Sequence, residues 1–202
     1  MSRIKICGLS RSCDIDMVNN AKPDFCGFVV NVPRSRRSVS ADQLRALRQR
    51  LLPSVTPVGV FVNAPPAEVA ALLNDGTLSL AQLHGQEDAD YIAALRRLTT
   101  APLIQAFRMT DAQDVQRANE SPADLILLDN GAGGTGQRFD WTLTRRIDRP
   151  FILAGGLTPE TLAQAHACCR PYAFDLSSGV ESAGYKDANK IIAAVAAVRS
   201  VT

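Results

Sequence analysis

The alternation of two kinds of segment along the chain predicts an α/β fold, a single (β/α)₈ barrel of eight parallel strands with an outer ring of helices. Eight short apolar or β-branched runs recur about 24 residues apart on average, which is the length of one strand plus one helix. A helix-like segment follows each run, so both faces of the sheet are expected to be covered, as parallel strands require. The 202 residues are enough for one small barrel, so residues 1–202 are predicted to form one domain.

The eight predicted strands lie near Ile4, Phe25, Val58, Leu80, Leu103, Leu125, Phe151 and Tyr172.

An open, doubly wound sheet is the alternative to the closed barrel, because spacing alone does not reveal the order of the strands. Eight evenly spaced units favour closure. In both folds, chemistry is expected at the carboxyl ends of the strands.

Several of the intervening segments open with residues that commonly start helices. A hydroxyl group next to the first free N–H groups, or a proline in the first turn, favours a helix start. The predicted starts are at Ser40, at Pro65 and Pro66, at Thr110 before Asp111, and at Thr158 before Pro159. Leucines and valines then recur at helical spacing, which predicts that each helix packs one face against the sheet.

The composition excludes several classes of protein. Hydrophobic residues make up 46% of the chain and charged residues 21%, which is typical of a globular protein. The 22 basic and 20 acidic residues give a net charge of +2, too balanced for a general nucleic-acid binder. The longest apolar run, at 191–198, is far shorter than the ~20 residues that cross a bilayer. We therefore expect a cytoplasmic protein with a small-molecule partner and neither a nucleic-acid nor a membrane partner; the sequence leaves its oligomeric state open.

The five cysteines do not predict disulfides or a metal site. Their number is odd, and none has a spacing typical of metal ligands. No metal and no cofactor are expected.

Polar or glycine-rich residues follow nearly every predicted strand, and six of these segments form a recognisable series. They are KICGLS (5–10), VGVFVN (58–63), AQLHG (81–85), LLDNGAGGTGQRFDW (127–141), LAGGLTPE (153–160) and DLSSGVESAGYKD (175–187). In this order and at this spacing they resemble the phosphoribosylanthranilate isomerase family of tryptophan biosynthesis over essentially the whole chain. The resemblance implies a (β/α)₈ barrel and an Amadori rearrangement of N-(5-phosphoribosyl)anthranilate, which needs an acid, a base and two anion sites.

The resemblance assigns the acid to Asp129 and the base to Cys7. Asp129 ends the apolar run LILLD, where a partly desolvated carboxyl group would hold its proton near neutral pH. By residue type alone it could instead cap the following loop, and Cys7 could be an inert buried thiol. A thiolate at Cys7 needs nearby positive charge. We expect Lys5, on the same strand face, either to lower the pKa of Cys7 or to pair with Asp175 across the closed barrel.

Phosphate binding is expected in the loops after the last two strands. Glycine and serine residues allow backbone N–H groups to approach an anion closely. The residues are Gly155, Gly156, Ser177, Ser178 and Gly179, and Gly134 is placed in a mobile flap that closes the site. The segment at 131–136 also fits GxGxxG, but it does not open a first βα unit, which argues against a dinucleotide site.

Three further residues complete the predicted site. The resemblance assigns the anthranilate carboxylate to Arg37, with Arg36 as the alternative, because Ser38 stands where the family often has an aromatic residue. The arginine cluster around Arg37 could also be solvated surface charge. His84 either contacts the substrate or bonds a loop carbonyl, and Asp175 is expected to orient sugar hydroxyls or the phosphate loop.

Two other functions remain as alternatives. Another phosphate-binding barrel enzyme, such as an epimerase or an indole-forming synthase, would need converging histidines or several lysines at strand ends. The chain has two histidines and no lysine between Lys22 and Lys186. A catalytically silent binding barrel would have no reason to place both a thiol and a carboxyl group at strand ends.

Overall fold

The computed structural model describes residues 2–130 and 139–201, and its central element is a closed barrel of eight parallel strands. The strands are β1 (Arg3–Cys7), β2 (Phe25–Val30), β3 (Thr56–Phe61), β4 (Leu80–Leu83), β5 (Leu103–Arg108), β6 (Leu125–Asp129), β7 (Phe151–Leu153) and β8 (Ala173–Leu176). The barrel closes because β1 pairs with both β2 and β8: Lys5 lies opposite Phe25 on one side and Asp175 on the other. The predicted closed barrel is therefore confirmed, and the open sheet is excluded.

Helices cover the outside of the barrel. They are α1 (Ser12–Ala21), α2 (Ala41–Arg48), α3 (Pro66–Asn74), α4 (Ala89–Arg96), α5 (Ala112–Asn119), α6 (Leu162–Cys169) and α7 (Ala188–Ser200). The described part of the connection after β6 contains a 3₁₀ helix, Trp141–Arg146, and no α-helix. No helix in the described ranges is both long and apolar enough to cross a membrane.

The predicted helix starts agree with the structure at two positions and differ at two. Ser40 caps α2 by accepting a hydrogen bond from the N–H of Gln43, and Pro66 opens α3. For α5 the cap is Asp111, because its carboxylate accepts two backbone N–H groups, whereas the hydroxyl of Thr110 donates to Asp114. Thr158 precedes a short 3₁₀ turn, and α6 begins only after that turn.

The barrel interior shows why the site forms where it does. Side chains alternate between the two faces of each strand, so every second residue points inward. An apolar cluster fills the interior, with Ala154 just after β7 and one residue from each of six neighbouring strands: Val58, Leu80, Ile104, Leu127, Ile152 and Ala173. The next inward position lies two residues further along each strand, nearer its carboxyl end. Five of the residues at those positions line a cavity above the apolar cluster: Val60, Gln82, Asp129, Ala154 and Asp175.

Candidate active site

A cavity of about 720 Å³ opens at the carboxyl ends of the strands. Among its lining residues are Cys7 at the end of β1 and Asp129 at the end of β6, which are far apart in the sequence. Val60, Gln82 and Asp175 also line it, each two residues after a member of the apolar cluster. Barrel closure thus brings a thiol and a carboxyl group to one cavity.

The other predicted site residues within the described ranges line the same cavity. They are Arg37, His84, Gly155, Gly156, Ser177, Ser178 and Gly179. Gly134, with the predicted flap, lies outside the residues that the structure describes. Within residues 2–130 and 139–201, no group of three or more His, Cys, Asp or Glu side chains is arranged to hold a metal ion.

Cys7 lies at the inner wall of the cavity beside Lys5. Gly27 on β2 leaves room for both side chains, since a Cβ there would come within 2.7 Å of Cys7 Sγ and 3.0 Å of Lys5 Nζ. Burial raises the pKa of the Cys7 thiol. The positive charge of Lys5 opposes this effect, but the pKa stays above its ordinary value. The resting side chain is therefore a thiol at neutral pH.

This protonation state predicts slow alkylation of Cys7. Near pH 7.5, iodoacetamide should modify the exposed Cys13 at least about tenfold faster than Cys7, because the thiolate is the reactive form. The rate at Cys7 should keep rising with pH beyond 9. Mass spectrometry of the two peptides over time measures both rates, and unfolded protein, in which the difference should vanish, is the control. Equal rates in the folded protein near pH 7.5 would contradict the raised pKa.

Lys5 also forms an ion pair with Asp175 inside the barrel. Lys5 Nζ lies 3.0 Å from Asp175 Oδ2, and Lys5 is fully buried. Burial alone would lower the pKa of Lys5, but the neighbouring Asp175 and Cys7 side chains outweigh it, so its pKa is raised. Lys5 therefore pairs with Asp175, and its charge offsets only part of the effect of burial on Cys7, whose pKa is not lowered below its ordinary value. The other carboxylate oxygen, Asp175 Oδ1, is buried and has no hydrogen-bond partner among the described residues.

Asp129 lies next to the imidazole of His84. Asp129 Oδ1 accepts a hydrogen bond from the N–H of Asn130 at 2.7 Å, while Oδ2 lies 3.6 Å from His84 Nε2. The amide nitrogen of Gln82 is 2.7 Å from His84 Nδ1. The hydrogen bond to Gln82 orients the imidazole so that its other nitrogen, Nε2, faces Asp129. Among the described residues, the His84 ring thus contacts two residues of the cavity and no loop carbonyl.

The loops after β7 and β8 form the glycine- and serine-rich side of the cavity. Gly155 and Gly156 follow β7, and a short 3₁₀ turn, Ser178–Val180, follows β8. The Ser177 hydroxyl donates to the backbone carbonyl of Cys7 at 3.1 Å, which fastens this loop to the end of β1. The first N–H groups of a helical turn have no partner within it and suit an anion.

The arginine cluster reaches the cavity from the segment after β2. Both Arg36 and Arg37 line the cavity, and both form ion pairs with Glu181. The Arg37 side chain is 19% exposed and that of Arg36 is 59% exposed. Arg37 is therefore the more buried of the two candidates for binding a ligand, and the cluster is not simply solvated surface charge.

The structure also adds residues to which the sequence patterns assigned no role. Gln82 orients His84, and Glu181 holds the arginines. Val32, Val60 and Val62 form an apolar part of the cavity wall. The only sequence signal for Gln82, Val60 and Val62 was their place in the AQLHG and VGVFVN segments.

The fold and the site together define a class of protein. A closed (β/α)₈ barrel with a thiol, a carboxyl group and an imidazole on one rim, and glycine-rich loops after its last two strands, is a barrel enzyme equipped for acid–base chemistry on a small anionic ligand.

Comparison with known proteins identifies the family within this class. The family model described as N-(5'-phosphoribosyl)anthranilate isomerase matches residues 4–197. The chain is 40% identical over 205 residues to the isomerase of that name from Endomicrobium trichonymphae, covering 100% of both proteins. The chain belongs to the N-(5'-phosphoribosyl)anthranilate isomerase family, and it is an isomerase of tryptophan biosynthesis. This finding confirms the resemblance recognised in the sequence.

Two solved structures are similar over nearly the whole chain. The phosphoribosylanthranilate isomerase from Thermus thermophilus has a TM-score of 0.88 and 38% identity, covering 99% of this chain and 100% of that one. A second isomerase of the family, solved with reduced 1-(o-carboxyphenylamino)-1-deoxyribulose 5-phosphate, has a TM-score of 0.85 and 32% identity, with coverage of 99% and 100%. The barrel fold and the reaction class are therefore shared.

Proposed function

We propose that Asp129 and Cys7 carry out the Amadori rearrangement of N-(5-phosphoribosyl)anthranilate in this chain, Asp129 as general acid and Cys7 as general base. The observation that supports this assignment most directly is that both groups line one cavity of about 720 Å³ at the strand ends. We further propose that residues 1–202 act as a single domain and that the enzyme works in the cytoplasm.

The cavity offers a place for each part of the substrate. The phosphate is proposed to bind to the loops of Gly155–Gly156 and Ser177–Gly179, because their backbone N–H groups suit an anion. The anthranilate carboxylate is proposed to pair with Arg37, whose planar guanidinium matches a carboxylate. The valines of the wall fit the apolar aromatic ring.

Asp175 is the proposed partner of a ribose hydroxyl. Its Oδ2 is held by Lys5, while its buried Oδ1 lacks a hydrogen-bond partner in the described part of the chain. A buried acceptor without a donor is costly, so a substrate hydroxyl that donates to Oδ1 would bind favourably. The unpaired oxygen thus gives the sugar a fixed orientation.

The first step is ring opening with Asp129 as the acid. A proton passes from the Asp129 carboxyl group to the furanose ring oxygen as the bond between that oxygen and the first sugar carbon breaks. The nitrogen lone pair of the anthranilate replaces that bond and gives a positively charged imine. His84 Nε2 lies 3.6 Å from Asp129 Oδ2, so the imidazole stands beside the carboxylate that remains.

The second step is loss of the proton on the second sugar carbon, with the Cys7 thiolate as the base. The electron pair of the broken C–H bond moves toward the imine, neutralises its nitrogen and leaves an enolamine, which tautomerises to the aminoketose. The raised pKa of Cys7 makes the thiolate scarcer but more basic, and Lys5 keeps a positive charge beside it. Proton exchange with water then restores the protonated carboxyl group of Asp129 and the equilibrium between thiol and thiolate at Cys7.

An activity assay tests the proposed reaction. Anthranilate and phosphoribosyl pyrophosphate are joined by the transferase that makes N-(5-phosphoribosyl)anthranilate, and the fluorescence of this intermediate is followed after the purified chain is added. We expect rapid loss of the fluorescence, with the aminoketose phosphate identified by mass spectrometry. A decay no faster than that of the intermediate alone would contradict the proposal.

A further inference from the structure

We infer that Glu181 is a positioning residue. It holds one edge of the Arg37 guanidinium and leaves another edge free for a ligand, and it thereby gives the site its preference for a ligand that carries a carboxylate. The inference rests on the proposed role of Arg37 in binding the anthranilate carboxylate. Glu181 does not itself line the cavity, and it borders a smaller pocket together with Arg37.

The hydrogen bonds between the two side chains occupy one edge of the guanidinium. Arg37 Nε donates to Glu181 Oε1 at 2.7 Å, and Arg37 Nη2 donates to Oε2 at 2.9 Å. A guanidinium has five N–H donors in one plane. Arg37 Nη1 has no hydrogen-bond partner among the described residues, so the remaining donors are available to a carboxylate in the cavity.

Glu181 is itself held from two other sides. Arg36 Nη2 donates to Oε2 at 2.7 Å, and Lys186 Nζ donates to Oε1 at 2.7 Å. Lys186 lies directly opposite Glu181 in a short hairpin of two antiparallel strands. Burial raises the pKa of Glu181, but hydrogen bonds from Arg37 and Lys186 outweigh it and bring the pKa to about 2. The carboxylate is therefore charged at neutral pH.

Three cations surround Glu181, namely Arg36, Arg37 and Lys186, and together they explain how Arg37 can bind an anion while it is paired with Glu181. An isolated ion pair of Arg37 and Glu181 would be neutral as a whole. Arg36 and Lys186 surround the same carboxylate, so the cluster keeps an excess of positive charge next to the cavity. A negatively charged group approaching Arg37 is therefore attracted in spite of Glu181.

The stem of Arg37 is fixed by the chain just beyond Cys7. Gly8 has a φ of +80°, and a Cβ at this position would lie 2.4 Å from Arg37 Cδ. The arginine thus packs against backbone that only glycine leaves open. Gly8 fixes the stem and Glu181 fixes the guanidinium, so little side-chain freedom remains to be lost when a carboxylate binds.

Calorimetry with two probes separates positioning from general stabilisation. One probe is reduced 1-(o-carboxyphenylamino)-1-deoxyribulose 5-phosphate, and the other is its phenylamino counterpart without the carboxyl group. The wild type should bind the carboxylated probe more tightly. In Glu181→Gln this preference should fall by about 10- to 100-fold, as expected for lost charge-assisted hydrogen bonds, while the affinity for the second probe stays the same.

Two further variants make the outcome decisive. Arg37→Met should abolish the preference, and Asp114→Asn, which alters a buried carboxylate paired with Arg117 on α5, should leave it unchanged. If Arg37→Met abolishes the preference and Glu181→Gln retains it in full, the positioning role of Glu181 is overturned and the proposed function stands. If Arg37→Met retains it, the proposed role of Arg37 is overturned and the inference with it.

A measurement on the unaltered protein covers the case in which Glu181→Gln does not fold. In the free wild-type protein labelled with ¹⁵N, the Arg37 Nε–H signal should be visible at neutral pH and exchange with water more slowly than that of the exposed Arg45, because Glu181 accepts its hydrogen bond. Equal exchange at the two arginines would overturn the inference.

Discussion

Replacing Asp129 with asparagine is expected to lower kcat/KM by about 10²- to 10⁴-fold, which is the usual contribution of a positioned general acid. Asparagine preserves the shape of the side chain and can still accept the hydrogen bond from the N–H of Asn130. It cannot deliver an acidic proton to the ring oxygen. The fluorescence assay measures the loss, and circular dichroism checks that the variant is folded.

Asp124→Asn provides the matched control for this substitution. Asp124 immediately precedes β6, at the opposite end of the strand from Asp129, and its carboxylate accepts the N–H of Leu103 at 2.7 Å and pairs with Arg96. Residues at that end of a barrel contribute to stability and not to chemistry. The control should therefore keep its activity. Wild-type turnover in Asp129→Asn would remove this residue from the mechanism.

Replacing Cys7 with alanine is expected to cause a loss of the same order, about 10²- to 10⁴-fold in kcat/KM, because no other side chain is proposed to take the carbon-bound proton. The residual activity should also lose the rise with pH that thiolate formation produces in the wild type. Steady-state rates measured between about pH 6 and pH 9 test both expectations.

Cys26→Ala is the matched control for the thiol. Cys26 lies opposite Ile6 on the neighbouring strand and is fully buried in the outer core, away from the cavity. This variant should lose some stability and no activity. Full activity of Cys7→Ala at every pH would show that the reaction uses a different base.

The part of the site that depends only on where each strand ends was predictable from the sequence. Residues at strand ends must face one rim in any parallel barrel, so Cys7, Asp129 and His84 were expected there. Glu181 was not predictable in this way, because its ion pair with Arg37 joins two loops more than a hundred residues apart. The 3₁₀ helix after β6 and the cap at Asp111 also depart from what the sequence patterns indicated.

The contacts of Lys5 likewise depend partly on local strand geometry and partly on closure of the barrel. Its position on the same strand face as Cys7 follows from the two-residue alternation of a strand. Whether Lys5 lowers the pKa of Cys7 or pairs with Asp175 does not follow from that alternation, since a strand pattern does not define how far apart side chains on neighbouring strands lie. Closure of β1 against β8 puts Lys5 opposite Asp175 and lets it contact both groups.

The number of strands, their alternation with helices, the family and the residues at the rim all follow from the amino-acid sequence, because apolar periodicity and local motifs act over a few residues. Which charges meet, how deeply Cys7 is buried and which edge of Arg37 stays free are set by the folded barrel. These properties depend on distances and desolvation between segments that are remote in the chain, and barrel closure sets both.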